Sequence, residues 1–378
     1  VKKKLESESR REALCAGGAG AMAAMFGGLL GVANGVRAEP VKGAVPVVDK
    51  LAVRVVTDSY QLALAASTSI AGVKVERFSF PVTAERPKRS VLSEFGLSLH
   101  LESTMGSDTR QVLIDFGYTS EALMNNLEVF GIKPENLEAL ILSHGHFDHF
   151  GGMLGFLEAT KGKLKPGIPF YLGGEECFCT RELNIPDRVG NFGYLDRDAI
   201  KAYNVQATFA EKPSIIAGHA FTTGQIARAT FERVLSPTRM RVGMNNGVGC
   251  YPDQINPEKK QLTVVPDDFE HEQATCFNVK DRGLVVMTSC GHRGVVNSVK
   301  RAMAVAGTNK VHAVLGGFHL APHKDEYVRE TVMALKEINP DLVIPMHCTG
   351  EAFQEIAAKE MPGKYIRSYT GTRYTFGA

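Results

Sequence analysis

Four candidate metal ligands fall within six residues, His144-Gly145-His146-Phe147-Asp148-His149, and this cluster constrains the fold more than any other feature of the chain. Imidazole and carboxylate groups bind zinc and related divalent ions. His144 and His146 lie two apart, so extended backbone directs both rings to one side. Asp148 and His149 come where the chain turns into a helix, and there they can face a second ion beside the first. The flanking Gly145, Gly151 and Gly152 let backbone pass close without Cβ clashes. A solvated, charge-rich loop is the competing reading, but so dense a run of ligands rarely occurs idly.

Around the cluster the chain reads as α/β. Strands are expected over 51–56, 96–101, 112–114 (ending at Asp115) and 139–142, the last running directly into the histidines. A helix capped by Thr119 or Ser120 is expected to bury Leu123, Leu127 and Phe130 and to stop at Gly131. Another is expected to bury Met153, Leu154 and Leu157. The rhythm returns late in the chain, with strands at 283–288, 311–315 and 342–344 and helices at 295–305 and 326–338. Each of these strands is followed at once by glycine, cysteine or histidine, so His292, His319 and His347 also stand at strand ends. In α/β folds ligands gather at the carboxyl ends of strands, where loops converge. The stretch 161–281 is broken by Gly, Pro and polar residues, as in Gly243–Gly249. It reads as loops and insertions around a site entrance, with a substrate lid as one role.

The first forty residues read as a targeting segment. Lys2, Lys3, Lys4, Arg10 and Arg11 precede an uncharged Ala/Gly-rich stretch from Ala13 to Val36, and Val36-Arg37-Ala38 has the spacing of a signal-peptidase site. Arg10-Arg11 after Ser9 resembles a twin-arginine export signal. The expected division is an export signal over 1–38 and one domain over 39–378, placing the mature protein in the periplasm or outside the cell. An uncleaved membrane anchor is the alternative. Six cysteines follow the leader: Cys177, Cys179, Cys250, Cys276, Cys290 and Cys348. Their spacing resembles no stapled scaffold, and Cys177 and Cys179 are expected as separate, partly buried thiols rather than a redox pair. The 378 residues suffice for one large α/β domain or two smaller ones, and a net charge of +2 recruits neither nucleic acid nor anionic lipid. A small-molecule substrate and the twin-arginine machinery are the expected partners.

The pattern His144-x-His146-x-Asp148-His149, after a strand and opening a helix, resembles the signature of the metallo-β-lactamase superfamily. Asp115-Phe116-Gly117 is similar to that family's strand ending in Asp-x-Gly. Thr288–Asn297 with His292, Gly316–Leu320 with His319, and Pro345–Gly350 with His347 resemble one branch. It includes archaeal enzymes related to dihydropterin–ribofuranosylaminobenzene phosphate synthase and many bacterial hydrolases. Phe221–Arg228 and Glu272–Ala274 match that branch more weakly.

The resemblance implies a four-layer αββα sandwich with a metal site, often dinuclear zinc, along one edge of the sheets. It implies His144, His146, Asp148, His149 and His347 as ligands, with His292 as the best additional one. Where many members place a bridging Asp, this chain has Cys290. Either Cys290 supplies a thiolate, or His292 takes over, or one metal position is weak; a buried, inert Cys290 is the further alternative. One or two zinc ions are expected, with iron or manganese as the other candidates. Asp148 is expected to orient the attacking water and His319 to act as general acid or base, or else to hydrogen-bond a loop. His219 and His271 sit in no motif; His100, His312 and His323 are expected to be structural or exposed. The expected activity is hydrolysis of an ester, lactone, amide or phosphodiester. The alternatives are a synthase-like transfer on a pterin or pyrophosphate substrate, and a non-hydrolytic metal-binding or iron redox protein.

Overall fold

The computed structural model describes residues 36–37, 41–79, 84, 86, 88–185, 188–235 and 238–377. The expected leader and its arginine pair lie outside the described residues, save for Val36 and Arg37. Those two pair in parallel with Val205–Phe209. The described residues from Val36 onward fall in one compact unit. Among the described residues, no helix is long and apolar enough to cross a membrane.

Two sheets face each other. The larger has ten strands and sets Lys50–Thr57, Ser98–Met105, Asp108–Ile114, Leu137–Ile141 and Ile168–Leu172 side by side. The other has seven and includes Thr275–Val279, Gly283–Thr288, Val311–Gly317 and Leu342–Met346. Side chains alternate across a strand, so each sheet buries two sets. Leu99, Leu101, Ile114 and Ile141 meet Phe277, Val285, Leu315 and Ile344 between the sheets. Leu113, Leu140 and Leu142 face outward onto Leu123, Leu127, Met153 and Phe156 of a helical layer. On the opposite side Val286, Val314 and Val343 pack on Val299, Val332, Leu335 and Phe353. The result is the expected four-layer αββα sandwich, and burial on both faces explains why Gly283–Thr288 reads as an unbroken apolar run.

The local signals hold with small corrections. Thr119 caps Ser120–Val129 by accepting from Ala122 N–H at 3.3 Å. Phe130 is the residue after this helix rather than part of its buried face. Leu154 is 43% exposed and Phe156 takes its expected core place, because Met153–Ala159 meets the sheet through residues 153, 156 and 157. The larger correction concerns 161–281. It contains a four-stranded antiparallel sheet of Arg188–Asn191, Thr180–Ile185, Thr238–Arg241 and Val264–Pro266 where the local sequence predicts loops. Cys179 is disulfide-bonded to Cys250, closing 71 residues, whereas Cys177 is the separate buried thiol expected.

Candidate metal centre

The centre is assembled where the two sheets present their strand ends to each other. After Leu137–Ile141 the chain bends rather than staying extended, and His146 is the N-cap of the single turn Phe147–Phe150. The rings of His144 and His146 lie 4.9 Å apart, and those of His144 and His149 4.3 Å. Asp115, at the end of Asp108–Ile114, adopts a left-handed φ of 57° and turns its carboxylate inward. Oδ1 accepts from Ser143 N–H, and Oδ2 from both Ser143 Oγ–H and His149 Nδ1–H, each at 2.8 Å. With its proton committed to Asp115, Ser143 Oγ accepts from His144 Nδ1–H at 2.9 Å. Both imidazoles therefore carry hydrogen on Nδ1 and offer Nε2 to the centre.

Across the cleft the second sheet contributes Cys290 and His292 after Gly283–Thr288, His319 after Val311–Gly317, and His347 after Leu342–Met346. The His292 ring lies 4.8 Å from that of His144 and 4.9 Å from that of His146. His347 Nε2 is 3.1 Å from Asp148 Oδ2, and Cys290 Sγ is 3.3 Å from His149 Nε2. Two of the groups whose ligand atoms lie within 4.8 Å of one another are His144, Cys290 and His292, and His149, Cys290 and His347. Cys290 and His292 thus both enter, and Cys290 is common to the two groups. Phe269, His319 and His347 have φ of 56°, 46° and 50°, a conformation costly for these side chains and concentrated at functional sites.

The chemistry of the donors fits a divalent cation. Burial drives the imidazoles of His144 and His292 well below their ordinary pKa and that of His146 to about 3, so all three are neutral, the ligating form. Burial opposes ionisation of Asp148, but His149 and His347 hold its carboxyl below the usual carboxylate range. Burial also opposes charge on His347, which Cys348, Asp148 and Asp58 nevertheless raise to about 9. His144 Nε2, Asp148 Oδ1 and both ring nitrogens of His292 are buried without a hydrogen-bond partner. Each such atom costs about 1–3 kcal/mol, a penalty that a shared cation removes.

Several residues that hold this arrangement carried no signal in the sequence. His146 Nε2 donates to Thr238 Oγ1 at 2.8 Å, leaving Nδ1 as the atom it can offer an ion. Thr238 donates on to Asp267 Oδ2 at 3.4 Å, and the same oxygen accepts from Arg181 Nε at 2.9 Å. Arg181, fully buried, also reaches His271 Nε2 at 3.1 Å, which accepts from Gly145 N–H at the same distance. A Cβ on Gly145 would stand 2.5 Å from the Arg181 guanidinium, which is why glycine separates the two histidines. Glu272 accepts from His292 N–H at 2.9 Å and Arg293 N–H at 2.7 Å, and burial pushes its carboxyl up to about 7. Asp58, pushed by burial to about 6, accepts from His347 N–H at 2.8 Å. Of these, Gly145, Glu272 and Arg293 fall in stretches that resemble the family. His100, His219 and His312 pair elsewhere with Gln111, Ser103 and Asp341, and His323 stacks on Tyr327.

An αββα sandwich with His-x-His-x-Asp-His at its strand ends defines a class of metal-binding enzyme folds. The family model of the metallo-beta-lactamase superfamily matches residues 104–166, the segment that holds Asp115 and the histidine cluster. The chain is similar to the 7,8-dihydropterin-6-methyl-4-(beta-D-ribofuranosyl)-aminobenzene-5'-phosphate synthase of Methanocaldococcus jannaschii, at 27% identity over 284 residues, 74% of this chain and 89% of the relative. An uncharacterized protein of the same archaeon is 23% identical over 266 residues, 70% of this chain and 88% of its own. A crystal structure described as a metal-dependent hydrolase of the beta-lactamase superfamily shares the fold, with a TM-score of 0.59 at 23% identity, covering 85% of this chain and 98% of that one.

Proposed function

We propose that this protein is a zinc-dependent hydrolase of a small molecule bearing an ester, lactone, amide or phosphodiester group. One observation carries the reading: neutral imidazoles and an ionised carboxylate converge in a buried site, with His144 Nε2, Asp148 Oδ1 and the His292 ring nitrogens left without partners. His144, His146 and His292 would hold one ion and Asp148, His149 and His347 a second, with Cys290 between them. A divalent ion bound there supplies Lewis acidity, which makes water nucleophilic near neutral pH and polarises the group attacked.

The chain's own residues do the rest. Asp148 keeps Oδ1 free to accept a hydrogen bond from water and so to aim it. Phe269 stacks on His292 with centroids 3.7 Å apart and excludes water from that side of the ring. Asp115 fixes the tautomers of His144 and His149, so the offered nitrogens need no rearrangement when an ion or substrate arrives.

The location that accompanies this reading is the periplasm, reached by twin-arginine export. The leader's composition supports it, and the Cys179–Cys250 disulfide suits an oxidising compartment. The similarity to an archaeal synthase favours a second reading, transfer on a pterin or pyrophosphate substrate. Export weighs against it, since activated phosphates are made and used in the cytoplasm. The test is elemental analysis of the purified protein together with a screen of lactones, phosphodiesters and β-lactams. His146→Ala or Asp148→Ala is expected to abolish any turnover found. Full turnover with metal content intact in either variant would sink the hydrolase assignment.

A further inference from the structure

Cys290, His319 and Cys348 make a third group whose ligand atoms all lie within 4.8 Å of one another. The two sulfurs are 3.2 Å apart, closer than unbonded sulfur atoms rest, and Cys348 Sγ lies 3.7 Å from the Cys290 carbonyl oxygen. Cys290 is 2% exposed and Cys348 7%, and neither ring nitrogen of His319 has a hydrogen-bond partner. A general acid or base needs no thiol pair beside it, and an inert pair of core thiols needs no unpartnered imidazole.

The backbone is built to bring these three together. His319 turns inward through its left-handed φ of 46°. Gly317 makes room, since a Cβ there would stand 2.9 Å from Cys348 Sγ and 2.3 Å from the Ser289 carbonyl oxygen. Thr349 Oγ1 accepts from Phe318 N–H at 3.1 Å and donates to the Met346 carbonyl at 2.6 Å, bracing the turn of His319 against that of Cys348. Two thiols and an imidazole favour thiophilic and borderline ions over hard ones.

We propose that Cys290, His319 and Cys348 bind an ion of the zinc class at a thiolate site that shares only Cys290 with the histidine–aspartate groups. Binding replaces the two thiol protons, which pass to solvent, and leaves the oxidation state of sulfur unchanged. The assignment extends the metal centre proposed above and makes His319 a ligand in place of a proton carrier.

Cobalt(II) is the probe, added to the metal-free full-length protein under argon and followed by its near-ultraviolet thiolate-to-cobalt band. Cys348→Ser is expected to lower the band by about half and the cobalt content by about one ion per chain, because one of two thiolates is lost. His319→Gln keeps both thiolates and is expected to weaken that ion's affinity about tenfold or more. His146→Ala is expected to lose cobalt from the histidine groups while keeping the part of the band that depends on Cys348. An unchanged band and stoichiometry in both Cys348→Ser and His319→Gln would overturn the proposal. So would recovery of Cys290 and Cys348 as a disulfide from the metal-loaded protein. Should Cys348→Ser fail to fold, His319→Gln decides alone. Failure of the hydrolase reading shows separately, as undiminished turnover in Asp148→Ala, a change that leaves the thiolate band in place.

Discussion

His149 Nδ1 donates to Asp115 Oδ2 across 2.8 Å, and that one oxygen also accepts from Ser143 Oγ–H, whose oxygen in turn orients His144. A single carboxylate therefore sets the tautomer of two candidate ligands. Asp115→Asn keeps the shape and tolerates the left-handed φ, but it places an N–H where an acceptor is needed. The expected result is metal affinity lowered about 10–100-fold with an unchanged circular dichroism spectrum. Retention of metal against a competing chelator measures it, and unchanged retention would remove Asp115 from the account.

Arg181 and Asp267 are both fully buried and joined at 2.9 Å. Removing one partner leaves the other charged and uncompensated, so Arg181→Met is expected to cost about 3–5 kcal/mol in urea unfolding. The double variant with Asp267→Asn should recover part of that loss. Equal losses in the single and double variants would mean that the two residues are not coupled.

Cys179 and Cys250 close a span of 71 residues that holds most of the small four-stranded sheet. Constraining that loop in the unfolded chain is worth about 2–4 kcal/mol. Cys250→Ser should lower the unfolding free energy by that much, and thiol counting under denaturing conditions should rise accordingly. The two measurements must agree, because an intact bridge hides two thiols.

His100 is buried beside Gln111, and burial drives its imidazole from 6.5 to about 4. The folded state thus binds its proton later than the unfolded chain does. The contribution is fully present above pH 6.5 and is lost as the pH falls to about 4, a change of about 3 kcal/mol. His100→Gln should therefore lose less stability than the parent between about pH 7.5 and about pH 4.5. Parallel losses in the two proteins would contradict a neutral His100.

The elements that bury two faces were the most legible. The strand 283–288 is an unbroken apolar run and the helix at 295 places its apolar residues at helical spacing before Gly307, so their limits follow from local pattern. The Thr119 cap and the Gly131 stop were equally readable, because capping uses side chains next to the turn they serve. Strands such as Thr180–Ile185 and Val264–Pro266 escaped notice. They are short and mixed in character, and antiparallel partners far along the chain and a disulfide stabilise them rather than their own periodicity.

For the site, the sequence by itself determined the candidate donors: His144, His146, Asp148 and His149 in one run, and His292, His319 and His347 each at a strand end. Ligand identity is a property of single residues, and strand ends can be read from local hydrophobic pattern. Only the tertiary structure decided how these donors group. It made Cys290 common to three sets, turned Cys348 toward His319, and recruited Asp115, Arg181 and Asp267 as the supports that fix which nitrogen each histidine offers. Those relationships join residues from both sheets and the inserted one, and no spacing along the chain encodes a distance that exists only once the sheets have packed.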